Sequence, residues 1–258
     1  GSVNQITPPT YDMEGAAVSP EGSRILYWGV SFEGIRPDYR QLMLYDLATG
    51  QTRSLVPDGK YRITQVGWWG TDIWFEGGDP HTSVSRSPKL YLLNPATGDC
   101  RTFCAPDGFL GTSAIGDMSL GGGKVCAVQG DSLYAVRLQR DVTALLRFDK
   151  AGNFAPVASY EGIACFDIIG ENAYLAAFRD HRPQELYRQP LSGGEPERLT
   201  QFHDAFLETR QISRPEHITF RSRDGQEVDG WVIRPSGYEP GKKYPGVLNI
   251  HGGPKAAY

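Results

Sequence analysis

The chain has 258 residues with 40% hydrophobic and 22% charged content, a balance that fits a globular protein able to bury a substantial core in one large or two ordinary domains. A formal net charge of −4 offers no basic face to offset phosphate repulsion, which argues against a nucleic-acid partner. No apolar run approaches the roughly 18 residues of a membrane span, so no membrane partner is expected either.

The 31 glycines and 18 prolines, with abundant Tyr, Trp and Phe, favour many short strands joined by tight turns over helices. Gly1-Ser2 reads as the scar of a cleaved tag, and residues 1–10 as a leader with no signal peptide. Beyond it an internal repeat emerges once the turns are aligned. Leu44-Tyr45-Asp46-Leu47-Ala48-Thr49-Gly50 returns as Leu92-Leu93-Asn94-Pro95-Ala96-Thr97-Gly98. Looser copies end at Gly152 and Gly193, so the turn glycines are spaced 48, 54 and 41 residues apart. An apolar alternating run precedes each turn and another strand follows it. A four-strand unit repeating every 40 to 50 residues is the pattern of a β-propeller blade.

Four blades are legible, over residues 11–60, 61–107, 108–160 and 161–203. In the first, strands are expected near 16–19, 24–31, 41–46 and 52–56, and in the second near 66–69, 72–76, 89–94 and 100–104. The third includes 124–128, 132–136 and 144–148, and the fourth 165–169, 173–178, 184–189 and 197–199. The inserts 32–39 and 77–88 are expected to be surface loops. Residues 204–216 read as a hinge or linker with room for a short helix. After them, 217–222 and 227–234 flank Arg223-Asp224-Gly225 as a β-hairpin. A Gly/Pro-containing loop over 236–243 leads to a short apolar run, Val247, Leu248 and Ile250, read as a buried strand over 244–250. The fold expected is mainly β: a partial propeller of four blades, then the first strands of a second domain over 217–258.

That last strand runs into His251-Gly252-Gly253-Pro254, where two glycines let the backbone turn sharply and approach a ligand. Taken with Arg214-Pro215-Glu216-His217-Ile218-Thr219-Phe220, Asp224-Gly225, Gly230-Trp231, Pro235 and Lys243-Tyr244-Pro245, this stretch resembles the prolyl oligopeptidase serine peptidases, and within them the acylaminoacyl-peptidase branch. The resemblance is specific over residues 205–258 and holds upstream only as blade pattern. It implies a propeller over the mouth of an α/β-hydrolase domain with a Ser-Asp-His triad, its serine in a Gly-x-Ser-x-Gly elbow. That elbow is missing. Gly130-Asp131-Ser132 is followed by Leu133-Tyr134 and Gly111-Thr112-Ser113 by Ala114-Ile115, so the triad is expected beyond Tyr258 and this chain alone should be inactive.

By the same resemblance, the backbone N–H of Gly253 is one oxyanion-hole donor, while Gly252 and His251 position the loop. The competing reading is a tight turn after a strand, and the flanking matches favour the catalytic one. The longer protein is then expected to hydrolyse short peptides, acylaminoacyl- or dipeptidyl-peptidase-like, its propeller restricting access. Two rivals stay open: an esterase using the same loop, and a non-catalytic propeller that binds a partner.

Other chemistry-bearing residues read as structure. Asp79, His81, Asp180 and His181 share loop-like surroundings without metal-ligand spacing, and no metal or other cofactor is expected. Gly121-Gly122-Gly123-Lys124 fails the phosphate-loop pattern, since Val125 stands where Ser or Thr is required. Trp68, Trp69 and Trp74 read as packing between blades. Cys100, Cys104, Cys126 and Cys165 lack disulfide or zinc spacing and read as buried thiols of a cytoplasmic protein. The expected partners are a peptide substrate in the longer protein and a second copy of this chain, because a row of four blades and an unpaired strand edge both leave surfaces to cover.

Overall fold

A computed structural model describes residues 2–250 except 10, 32–39, 58, 112–121 and 140–141. The expected insert at 32–39 lies outside the described residues. The chain divides into two compact units, one of residues 1–110, 126–135 and 147–155, the other of 111–125, 136–146 and 156–258.

The architecture is a partial β-propeller of four-stranded sheets. The first sheet holds β1 (Tyr11–Val18), β2 (Arg24–Ser31), β3 (Gln41–Asp46) and β4 (Thr52–Ser54), antiparallel in chain order. The second holds β5 (Arg62–Trp69), β6 (Asp72–Gly78), β7 (Lys89–Leu93) and β8 (Cys100–Cys104) in the same arrangement. The third runs β9 (Cys126–Gln129), β10 (Ser132–Gln139), β11 (Val142–Phe148) and β12 (Phe154–Tyr160). The fourth runs β13 (Gly162–Ile169), β14 (Asn172–Arg179), β15 (Arg182–Pro190) and β16 (Glu197–Arg198). Strand β12 is absent from the sequence reading, and Pro156 inside it explains the omission. A proline cannot donate to a ladder, but β12 is an edge strand and tolerates one.

The first unit is built on an apolar core in which Leu26, Leu42, Ile63, Ile73, Phe75 and Leu93 are fully or almost fully buried together. Five consecutive residues of β6 are buried, so this strand is covered on both faces instead of alternating. Of the three tryptophans Trp68 joins that core, its indole N–H donating to the Ala17 carbonyl at 3.1 Å, while Trp69 and Trp74 are buried outside it. The repeated turns work through their Asx side chains. Asp46 Oδ1 accepts the Ala48 and Thr49 amides at 3.0 and 2.8 Å, and Asn94 Oδ1 accepts those of Ala96 and Thr97 at 2.8 and 3.2 Å.

Those turns also lock one sheet to the next. Arg53, three residues after the first turn glycine, donates to the Pro95 carbonyl in the second turn. Arg101, three residues after the second, donates to the Lys150 carbonyl in the third at 2.9 Å. Lys150 reaches back to Asp72 at 2.8 Å and to the Trp69 carbonyl at 3.1 Å. Gly152 completes the joint: its φ is +97°, and a Cβ there would lie 1.9 Å from the Phe103 carbonyl oxygen. Only glycine fits on both counts.

In the second unit, Leu175 and Ala177 of β14 and Ile163 of β13 are fully buried. The Tyr160 hydroxyl, at the end of β12, donates to Gln189 of β15 at 3.0 Å. Beyond β16 come a short helix, α1 (Asp204–Glu208), and an antiparallel hairpin of β17 (Pro215–Arg221) and β18 (Glu227–Ile233). The strand expected over 244–250 does not form. Val247, Leu248 and Ile250 are 95%, 83% and 80% exposed, and β17–β18 is a sheet of those two strands alone. A strand needs a ladder to satisfy its amides and carbonyls, and none of the described strands pairs with this run.

Candidate functional site: the approach to the His-Gly-Gly-Pro segment

All three residues to which the sequence assigns a catalytic or positioning role, His251, Gly252 and Gly253, lie outside the described residues. What is described is the chain that delivers them. The hairpin forms because Ser222-Arg223-Asp224-Gly225 closes tightly: the Ser222 carbonyl accepts the Gly225 amide at 3.0 Å, and Ser222 N–H donates to the Gln226 carbonyl at 2.9 Å. In its register Ile218 faces Gly230, Phe220 faces Val228 and Glu216 faces Val232, which puts Ile218, Phe220, Val228 and Val232 on one face. On the other face His217 pairs with Trp231, and its Nε2 lies 2.9 Å from Asp229 Oδ1.

After β18 the chain folds over the linker. Arg234 pairs with Glu216 at 2.8 Å, and its guanidinium lies 4.9 Å over the Tyr238 ring. An open groove of about 530 Å³ lies here, lined by Ile212, Arg214, Glu216, Arg234, Ser236 and Tyr238 among others. Tyr238 in turn meets Tyr244, whose hydroxyl accepts the Glu239 amide at 3.0 Å. These contacts anchor the loop up to Tyr244. From Pro245 to Ile250 the backbone runs without secondary structure toward His251.

The remaining candidates are tied into local structure. Asp79 Oδ1 accepts the His81 amide at 2.8 Å within a loop of the first unit. In the second unit Asp180 and His181 form the two-residue turn between β14 and β15, both at φ +57°, and Glu161 accepts the His181 amide at 3.1 Å. A left-handed backbone costs these side chains energy, and the Glu161 carboxylate holds it in place. Among the described residues no group of three or more His, Cys, Asp and Glu is placed to hold a metal ion. The Lys124 ammonium pairs with Asp167 at 2.9 Å, which also holds the Asp167 carboxyl below its usual range. None of the four cysteines is in a disulfide; Cys104 is buried, whereas Cys100, Cys126 and Cys165 are only partly so, short of the burial expected for all four. Burial pushes the Cys126 thiol strongly up, with the Glu76 carboxylate adding to it, so it stays protonated. Among the described residues no helix is long and apolar enough to cross a membrane.

No family profile matches the chain. It is 32% identical over 158 residues to YuxL, an uncharacterized peptidase of Bacillus subtilis, a match covering 59% of this chain and 24% of that protein. A second relative, dipeptidyl-peptidase 5 of Porphyromonas gingivalis, is 22% identical over 239 residues, 92% of this chain and 26% of its own. The chain is similar in sequence to these curated peptidases, in line with the resemblance to the prolyl oligopeptidase family. An acylaminoacyl peptidase of Pyrococcus horikoshii shares the fold, with a TM-score of 0.65 at 21% identity over 93% of this chain and 34% of that one. The chain therefore spans about a quarter of the length of the curated relatives it matches. The described residues supply four-stranded sheets and the hairpin upstream of His251.

Proposed function

We propose that this chain is part of a serine peptidase that hydrolyses short peptides in the manner of acylaminoacyl- or dipeptidyl-peptidases. The observation that carries the reading is the order of parts: four-stranded sheets, a short linker, a hairpin, and then His251-Gly252-Gly253-Pro254, in a chain related to peptidases. Gly253 N–H is the oxyanion donor, and Gly252 and His251 set its direction. The serine, its base and its acid come from sequence outside these residues, and the sheets narrow the entrance so that oligopeptides pass and folded proteins do not. Losing one oxyanion donor typically costs about 3–4 kcal/mol of transition-state stabilisation.

The test compares residues 1–258 with a longer protein that continues into a Gly-x-Ser-x-Gly segment. The short chain should neither cleave aminoacyl anilides nor react with a fluorophosphonate serine probe, and the longer one should do both. Stoichiometric labelling of a serine within 1–258 overturns the assignment. Cleavage of acyl esters with no activity on aminoacyl anilides replaces it with an esterase.

A further inference from the structure

Where the fourth sheet hands the chain on, two carboxylates grip it in opposite directions. Glu185 of β15 has a fully buried side chain, and everything it binds lies in the segment leaving the sheet. Its Oε1 accepts the His203 amide at 3.1 Å and meets His203 Nδ1 at 3.1 Å. Oε2 accepts the Phe202 amide at 3.2 Å and the Thr200 hydroxyl. That hydroxyl oxygen in turn accepts the Leu186 amide at 2.9 Å. The second carboxylate, Asp204, sits on the departing segment and binds back to the sheet. It takes Arg198 of β16 in a two-pronged pair at 2.8 and 2.7 Å, and Arg182 of β15 as well. Past α1, by contrast, residues 211–214 are mostly exposed and lack regular structure.

We propose that residues 200–204 are clamped to the fourth sheet by this reciprocal carboxylate pair, and that the pivot between the sheet and the hairpin is confined to residues 209–214. The clamp needs no catalytic residue and does not depend on the longer protein being a peptidase. A carboxylate suits the task because it offers two acceptor oxygens to two consecutive amides that would otherwise be left without acceptors. Burial by itself raises the Glu185 carboxyl, but the Thr200 hydroxyl, the two amides and the His203 ring outweigh it and hold the group below its usual range. Asp204 is held low by Arg198 first and Arg182 with it. Both folded-state values are depressed, so the clamp is complete at neutral pH and is lost as pH falls below the usual carboxylate range. The charged and titratable groups facing it are His203 and Asp204 from the departing segment, Arg198 from β16, and Arg182 and Tyr187 from β15.

Residue-resolved hydrogen exchange on the 258-residue chain tests this. At neutral pH the Phe202 and His203 amides should be protected and those of 211–214 should not. Glu185→Gln puts an amide donor where an acceptor is needed and should lower protection at 202 and 203 about tenfold or more, with β14 amides unchanged. Should that variant fail to fold, Asp204→Asn and an acid titration of the wild type read the same clamp, with loss at 202–203 before loss in β14. Unchanged protection at 202–203 in Asp204→Asn and at low pH, or equal protection at 211–214, overturns the proposal.

Discussion

The second sheet and the C-terminal hairpin are both antiparallel, and both carry apolar side chains in strand periodicity. In the second sheet Ile63, Ile73, Phe75, Leu90 and Leu93 are completely buried, whereas in the hairpin Ile218, Phe220 and Ile233 are 42%, 52% and 67% exposed. From residue 201 to 250 no described residue is buried. The pattern that makes a strand is therefore necessary and not sufficient: burial comes from a neighbouring layer. A two-stranded hairpin alone is marginal, while the sheets of the first unit share an apolar core and turn-to-turn hydrogen bonds. The run over 244–250 shows the limit of this dependence, being apolar and unpaired at once.

The contrast predicts a graded set of responses. The largest belongs to Gly152→Ala, where a Cβ meets the Phe103 carbonyl at 1.9 Å and φ is +97°. It should destabilise the chain by about 3 kcal/mol or more in urea unfolding, because the obstacle is backbone. Leu26→Ala, at a fully buried position, should cost about 2–5 kcal/mol. Arg101→Ala removes the hydrogen bond to the Lys150 carbonyl and should cost about 0.5–1.5 kcal/mol. Phe220→Ala on the hairpin should shift stability by no more than about 0.5 kcal/mol. A Phe220→Ala cost as large as that of Leu26→Ala would mean that the hairpin face is covered in solution, and light scattering at micromolar concentration would identify a second copy as the cover.

The legible parts of this fold were those written in local chemistry. Asp46 and Asn94 announce their turns because an Asx side chain satisfies two amides within three residues, and the glycine that follows lets the chain reverse. Strand β12 escaped notice because Pro156 breaks the pattern, and its edge position is a tertiary fact. Glu185 was equally silent. In Arg182–Pro190 it reads as one more polar residue on an exposed strand, and only Thr200 and His203, more than a dozen residues on, complete its surroundings. Glu76 repeats the device in the first unit, accepting the Thr64 hydroxyl and the Leu110 amide at 2.7 Å as the chain leaves the second sheet. A buried Glu that takes a Thr hydroxyl and an exiting amide is thus a recurrent way to end a blade here, invisible to periodicity because its parts are far apart in sequence. The strand over 244–250 failed for the opposite reason: its local signal is clear and its partner is missing from the described residues.

Gly253 is the residue that would make the exposed C-terminal arm part of a catalytic site. Its direct test is the turnover of aminoacyl anilides by the longer protein carrying Gly253→Pro, which has no N–H, beside Gly253→Ala, which keeps it. A kcat lowered about 100-fold or more in the folded proline variant, with a smaller loss in the alanine variant, is the predicted result. An unchanged kcat in a folded Gly253→Pro protein would contradict the oxyanion role and leave the two glycines as a turn.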